Sequence, residues 1–215
     1  MQEGASTQGR EQVVLIHGIW FRGQIMLPLA ARLQKHGFET HCFSYPSVTA
    51  SPAENADALY TFAQSLRARR LHFVAHSLGG VVVLNLFHRH TQIPPGRVVL
   101  LGTPVQGSLS AQRLQALPFG DLMLGRSVEQ GLLGDVPAWQ GGRDLGMIAG
   151  TVGFGLGSLL GRMPEVNDGA VLVSETELPG LTDRLCLPTT HTGMLLSSRV
   201  AYQVAFFLKN GHFSM

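Results

Sequence analysis

Ser77 stands in the run LHFVAHSLGG, residues 71–80, and its surroundings make it the first candidate for chemistry. An apolar stretch that reads as a short buried strand ends at Ala75, and Leu78 opens what reads as a helix, so the serine falls on the bend between them. A sharp strand-to-helix bend strains the residue at its apex, pushes that side chain outward and tolerates only small neighbours, which Ala75, Gly79 and Gly80 supply. The helix N-terminus adds free backbone N–H groups and the positive end of a dipole, both of which favour a developing negative charge. A serine ahead of a helix is also a common N-cap, so the motif alone leaves two readings open, nucleophile and cap.

Three further groups could complete the chemistry of a serine nucleophile. His17-Gly18 ends the first apolar run, where the Ile19 backbone N–H can point into the same pocket as that of Leu78. Two such donors would hold the oxyanion of a tetrahedral intermediate, and losing one typically costs roughly 10²–10³ in turnover. A His-Gly pair that merely turns the chain is the plainer reading. Asp168, in the run NDGAV, is a carboxylate in a turn that can orient a histidine. Asp-Gly is also an ordinary turn signal, and Asp144, Glu165 and Asp183 are rival acids. His191, in TTHTGM, lies directly after the last apolar strand and before the last helix. Of the nine histidines it has the position of a general base; His36, His88, His90 and His212 read as helix-surface or terminal, and His41 and His72 as strand residues. His76 adjoins the serine and reads as a supporting residue rather than the base.

The elements that must position these residues alternate between two periods. Strands are expected at residues 12–19, 38–45, 71–75, 97–101, 144–150 and 183–187, the first of them a β-branched apolar run with no helical period, as suits a strand buried on both faces. Between them, helices are expected at 27–36, 52–70, 78–90 and 192–209, the second with Ala56, Leu59, Tyr60, Ala63 and Leu66 on one face. Strands alternating with helices imply a parallel sheet covered on both faces. Two stretches break the rhythm. Residues 104–142 are too long for a plain loop and should hold one or two short helices, either as a lid over an acyl pocket lined by Trp20, Phe21, Phe119 and Trp139, or as ordinary packing on the sheet. Residues 153–161, GFGLGSLLG, lack the spacing of a nucleotide-binding loop and read as a flexible connection.

Composition narrows the classes. A chain of 215 residues fits one domain, and 45% hydrophobic against 14% charged residues argues for a sizeable core. With 16 basic and 14 acidic residues spread along the chain, nucleic acid is not an expected partner; the cluster Arg67, Arg69 and Arg70 reads as the cationic end of a helix. Cys42 and Cys186 fall in segments that read as buried strands and provide neither a disulfide framework nor metal-ligand spacing. Residues 1–10 carry Glu3 where a secretory signal needs a basic run and then an apolar one, so a cytoplasmic location is expected. Residues 145–161 contain six glycines and fall short of the ~20 residues of a membrane span.

On these residues the chain resembles the α/β-hydrolase superfamily, most closely its small bacterial lipases and esterases. The likeness rests on VVLIHGI at 13–19, AHSLGG at 75–80, VVLLGTPVQGS at 98–108, NDGAV at 167–171 and HTGMLLS at 191–197, in that order. Ala75 stands where the family more often has glycine, and Val105-Gln106 where lipases often have His or Arg before Gly-Ser. The resemblance implies a minimal α/β-hydrolase fold, an all-parallel sheet of about six strands, without the opening antiparallel strands of larger members. It implies Ser77 as nucleophile, Asp168 as acid, His191 as base, Ile19 and Leu78 as oxyanion donors, and hydrolysis of small-molecule or lipid esters with no cofactor and no metal. An acyltransferase or thioesterase would use the same residues, and a non-catalytic binding module would keep the fold without the chemistry.

Overall fold

The computed structural model describes residues 11–155, 157 and 160–214. Six strands form one sheet: β1 (Gln12–Ile16), β2 (Glu39–Phe43), β3 (Leu71–His76), β4 (Val98–Leu101), β5 (Leu145–Gly150) and β6 (Asp183–Leu187). Their order is β2-β1-β3-β4-β5-β6, and every neighbouring pair is parallel. The unbroken apolar runs of β3, β4 and β5 follow from this placement, since all their residues are buried. The sheet is covered on both faces, so successive side chains enter two different cores. Val14, Ile16, Phe73, Ala75, Val98 and Leu100 face one. Val13, Leu15, Val74, Val99, Leu101 and Ile148 face the other.

Among the described residues the sheet is accompanied by the helices α1 (Leu27–Lys35), α2 (Pro52–Ser65), α3 (Leu78–Arg89), α4 (Leu109–Gln115), α5 (Gly120–Leu124) and α6 (Ser198–Asn210). Leu59 and Ala63 of α2, with Val82, Val83 and Leu86 of α3, close the first core. Leu29 and Leu33 of α1, with Val204, Phe207 and Leu208 of α6, close the second. The 104–142 stretch holds α4, α5 and a 3-10 turn at Gly125–Val128; Leu114, Leu124 and Leu132 anchor it to the first core.

Three expectations change. The helix expected at 52–70 stops at Ser65, and Arg67 takes a left-handed φ of 49°, so the arginine cluster lies in the turn into β3 rather than at a helix end. The closing helix is divided: Thr192–Leu196 is a 3-10 turn, and extended Ser197 caps α6 by accepting from Val200 N–H. Cys42 is half-buried and Cys186 exposed, because β2 and β6 are the edge strands. Among the described residues no helix is long and apolar enough to cross a membrane.

From β1 the chain moves outward to β2 and returns to β3 on the far side of β1, so the strand order reverses between β1 and β3. Crevices outside the carboxyl ends of strands at such a reversal are where open α/β sheets bind ligands. His17-Gly18 and Ser77 lie at those two strand ends.

Candidate active site

Ser77 occupies the turn between β3 and α3 with φ 55° and ψ −126°, a conformation that side-chain-bearing residues rarely adopt. Its hydroxyl makes no cap bond to α3, which removes the N-cap reading of this serine. The neighbours explain the small residues beside it. A Cβ at Gly79 would press on the Ile16 and His17 carbonyls of the adjacent strand, and one at Gly80 would enter the Thr103 side chain.

The loop after β1 is built around His17. Its Nε2 accepts from the Tyr45 N–H at 3.3 Å, which leaves the proton on Nδ1 to be donated to the Gly18 carbonyl at 2.8 Å. Tyr45 stacks on the ring at 4.2 Å and donates its hydroxyl to the His17 carbonyl. Burial holds the His17 imidazole neutral by lowering its pKa. Fixing the Gly18 carbonyl also fixes the opposite edge of the same trans peptide, the Ile19 N–H. Ile19 lines the cavity that Ser77 and His191 share, and Leu78 is the first residue of α3, where backbone N–H groups have no helical acceptor.

Asp168 and His191 are joined twice. His191 Nδ1 donates to Asp168 Oδ2 at 2.7 Å, and the His191 backbone N–H donates to the Asp168 carbonyl at 2.7 Å. The other carboxylate oxygen, Oδ1, accepts from the N–H groups of Ala170 at 3.0 Å and Val171 at 2.8 Å. The carboxyl is buried and its direction is therefore set from both sides. With Nδ1 protonated, His191 Nε2 keeps the lone pair that could take a proton from a hydroxyl. Among the described residues, neither that nitrogen nor the Ser77 hydroxyl is committed to another hydrogen bond.

The rival acids are engaged elsewhere. Asp144 pairs with Arg97 at 2.7 Å and Asp183 accepts from the Phe213 N–H, both beside the amino ends of the strands, while Glu165 is exposed. Glu175 is buried close by, but its two oxygens accept from Leu109 N–H at 2.6 Å and Leu172 N–H at 2.9 Å, tying α4 to the turn that carries Asp168. Burial, with Asp168 adding a smaller effect, raises its pKa.

Gly102, at the end of β4, shows how little room surrounds the pair. Its φ is 54°, and an added Cβ would lie 2.9 Å from Asp168 Oδ2 and 3.1 Å from His191 Nδ1. Gly102→Ala is therefore expected to lower kcat by about a hundredfold through misplacement of the imidazole. Kinetics on a purified, folded variant check this; a kcat near that of the parent protein would contradict it.

A cavity of about 340 Å³ opens onto Ser77 and His191. Its walls are mostly apolar, with Leu114, Leu124 and Leu132 on one side and Phe154, Leu160 and Val171 on another. Trp20 and Phe21 line it as well, and the Trp20 indole donates to the Met123 carbonyl at 2.9 Å, joining the β1 loop to α5. Phe119 and Trp139, expected in the same lining, are elsewhere. Phe119 precedes α5 with φ 65° and is 79% exposed. Trp139 packs edge-on against Phe87 at 5.3 Å and lines a separate depression with Val105 and Leu178.

Sequence reasoning missed the wall formed by Phe154, Gly155, Gly157 and Leu160. The signal was the glycine spacing: Gly157 N–H donates to the Gly169 carbonyl at 2.8 Å, and a Cβ at Gly155 or Gly157 would collide with that backbone. The segment expected as a flexible connection is instead packed on the Asp168 turn at these glycines, while residues 156, 158 and 159 lie outside the described ones. Among the described residues no group of three or more His, Cys, Asp or Glu is placed to hold a metal ion.

Comparison with known proteins identifies the family and the fold. The model of the alpha/beta hydrolase family matches residues 13–209. No curated protein matches the chain by sequence. Among solved structures, the Bacillus licheniformis lipase BlEst2 in mature form superposes with a TM-score of 0.71 at 19% identity, over 95% of this chain and 93% of that one. The metagenomic carboxyl esterase MGS0156 follows with a TM-score of 0.68 at 17% identity, over 96% and 76%. The carboxylesterase CesB (YbfK) from Bacillus subtilis gives 0.61 at 13% identity, over 95% and 85%. At these identities the likeness is one of fold.

Proposed function

The chain belongs to the alpha/beta hydrolase family, and from that premise we propose that it hydrolyses carboxylic esters through a Ser77, His191 and Asp168 triad. The observation that carries this reading is a serine held at φ 55° with its hydroxyl unspent, in one cavity with an imidazole already bonded to a buried carboxylate at 2.7 Å.

In the reaction, His191 Nε2 takes the Ser77 proton as Oγ attacks the ester carbonyl carbon. The carbonyl oxygen becomes an oxyanion, held by the N–H groups of Ile19 and Leu78. Collapse breaks the ester C–O bond, and His191 returns its proton to the departing alkoxide, releasing the alcohol. Water then attacks the acyl carbonyl, gives its proton to His191 and forms a second oxyanion. Collapse breaks the bond from the acyl carbon to Oγ, His191 returns its proton to Oγ, and the carboxylic acid is freed with Ser77 restored. Asp168 stays ionised and stabilises the imidazolium at each stage.

The apolar walls suit an acyl chain, and the exposed Trp20 and Phe154 at the rim extend that character outward. A cavity of about 340 Å³ is at the small end of the usual ~300–1,000 Å³ for ligand sites, which favours a chain of modest length over a long one. The test is hydrolysis of p-nitrophenyl esters of increasing acyl length. The expected result is a kcat/KM that rises from acetate to a medium chain and then falls; absence of turnover across the whole series would end the proposal.

A further inference from the structure

We propose that His76 is a positioning residue, whose Nε2–H, donated to the backbone carbonyl of His191, holds the loop carrying the general base against the turn carrying the nucleophile. The inference rests on the triad reading above and adds a residue to it. His76 ends β3, is 1% exposed, and immediately precedes Ser77. Its Nε2 lies 3.0 Å from the His191 carbonyl oxygen. That oxygen can only accept, so the proton sits on Nε2 and the tautomer is defined.

The consequence is visible at the other nitrogen. His76 Nδ1 is buried without a hydrogen-bond partner among the described residues. An unpaired buried acceptor is unfavourable, and an apolar side chain of similar size would fill the place without it. The imidazole is thus explained by what Nε2 does. The two rings also touch, with centroids 4.5 Å apart and planes tilted by 46°.

His191 is consequently gripped at three points. Asp168 holds its ring and its backbone N–H, and His76 holds its carbonyl. The first two grips bind the base to the acid, and only the third binds it to the strand that ends in the serine. Two loops after different strands, β3 and β6, must keep a hydroxyl and an imidazole in register, and this bond joins them directly. Burial together with the neighbouring His191 and His17 keeps the His76 imidazole uncharged, its pKa far below the usual value, so no repulsion arises when His191 becomes an imidazolium.

The experiment compares His76→Leu, which fills the space without a donor, His76→Asn, whose amide is too short to reach, and His76→Gln, whose amide N–H can take the Nε2 position. Each is made in the full chain, with a thermal melt to confirm folding, and with Ser77→Ala as reference. Misplacement of a catalytic group by about 1 Å costs on the order of a hundredfold, so the Leu and Asn variants should lose about 10–100-fold in kcat with KM little changed, while Gln restores most of it. The low-field proton resonance of the His191–Asp168 bond should weaken in Leu and Asn and persist in Gln. Full kcat in a folded Leu or Asn variant, or equal losses in all three, would overturn the inference. If Ser77→Ala keeps its activity, the triad reading itself fails; if it loses activity while the Leu and Asn variants do not, only the role of His76 fails.

Discussion

Ser77→Ala is expected to reduce ester turnover by on the order of 10⁴–10⁶-fold while the protein folds and melts almost as before. The two halves of this result have separate causes. Removing Oγ removes the atom that forms the acyl-enzyme, and what survives is only the catalysis that bound substrate and oxyanion donors provide to attacking water. Stability is spared because the hydroxyl makes no bond to α3, so there is no cap to lose. An N-cap serine would behave in the opposite way, costing about 1 kcal/mol of stability and no turnover. Alanine also has a Cβ, so the strain of the turn at φ 55° is inherited rather than relieved. Measuring kcat and melting temperature on the same preparation separates these outcomes. A variant with parental kcat would rule out Ser77 as the nucleophile.

Asp168→Asn should cost on the order of 10⁴-fold in kcat, although it alters the shape of the site by almost nothing. The size of the effect follows from which end of the amide must point where. The Oδ1 position is faced by two donors, the N–H groups of Ala170 and Val171, and only an oxygen is acceptable there. The amide nitrogen is thereby forced into the Oδ2 position, 2.7 Å from His191 Nδ1 in the parent protein. A nitrogen that donates to Nδ1 requires Nδ1 to accept, so the ring proton moves to Nε2 and the lone pair needed by Ser77 disappears. The imidazolium also loses its counter-charge. Steady-state kinetics check the prediction, and a loss smaller than tenfold would mean that another carboxylate, or none, orients His191.

The inner strands β1, β3, β4 and β5 were legible because they are covered on both faces, and such strands appear as apolar runs without alternation. Element ends were less so. Leu66 continues the apolar face of α2, yet the chain leaves the helix there, since Arg67 adopts a left-handed conformation on the way to β3. Ser197 sits within an apolar period that reads as one helix, and its extended backbone divides the segment in two.

Among the candidate site residues, Ser77, Asp168 and His191 could be picked out because each follows a strand whose place in the order was readable; Ser77 and His191 line one cavity, and His191 is bonded to Asp168. Cavity walls are a different matter. Aromatic type predicts a large apolar area and says nothing of direction, which is how Phe119 came to be expected inward although it is exposed, and Trp139 in a cavity it does not line. The wall at Phe154, Gly155 and Gly157 is set by backbone contact with Gly169, and the bond from His76 ends on a main-chain carbonyl 115 residues away. Apart from the spacing of the glycines that allow the first contact, interactions with main-chain atoms distant in the chain leave no pattern in side-chain types.

Treatment of the intact protein with a fluorophosphonate, followed by mass measurement and peptide mapping, reaches the central claim most directly, because the reagent needs an activated hydroxyl and no knowledge of the natural substrate. The account predicts a single adduct on Ser77, and its loss when His191 is replaced by alanine. An unmodified protein, or an adduct on any other residue, would contradict it.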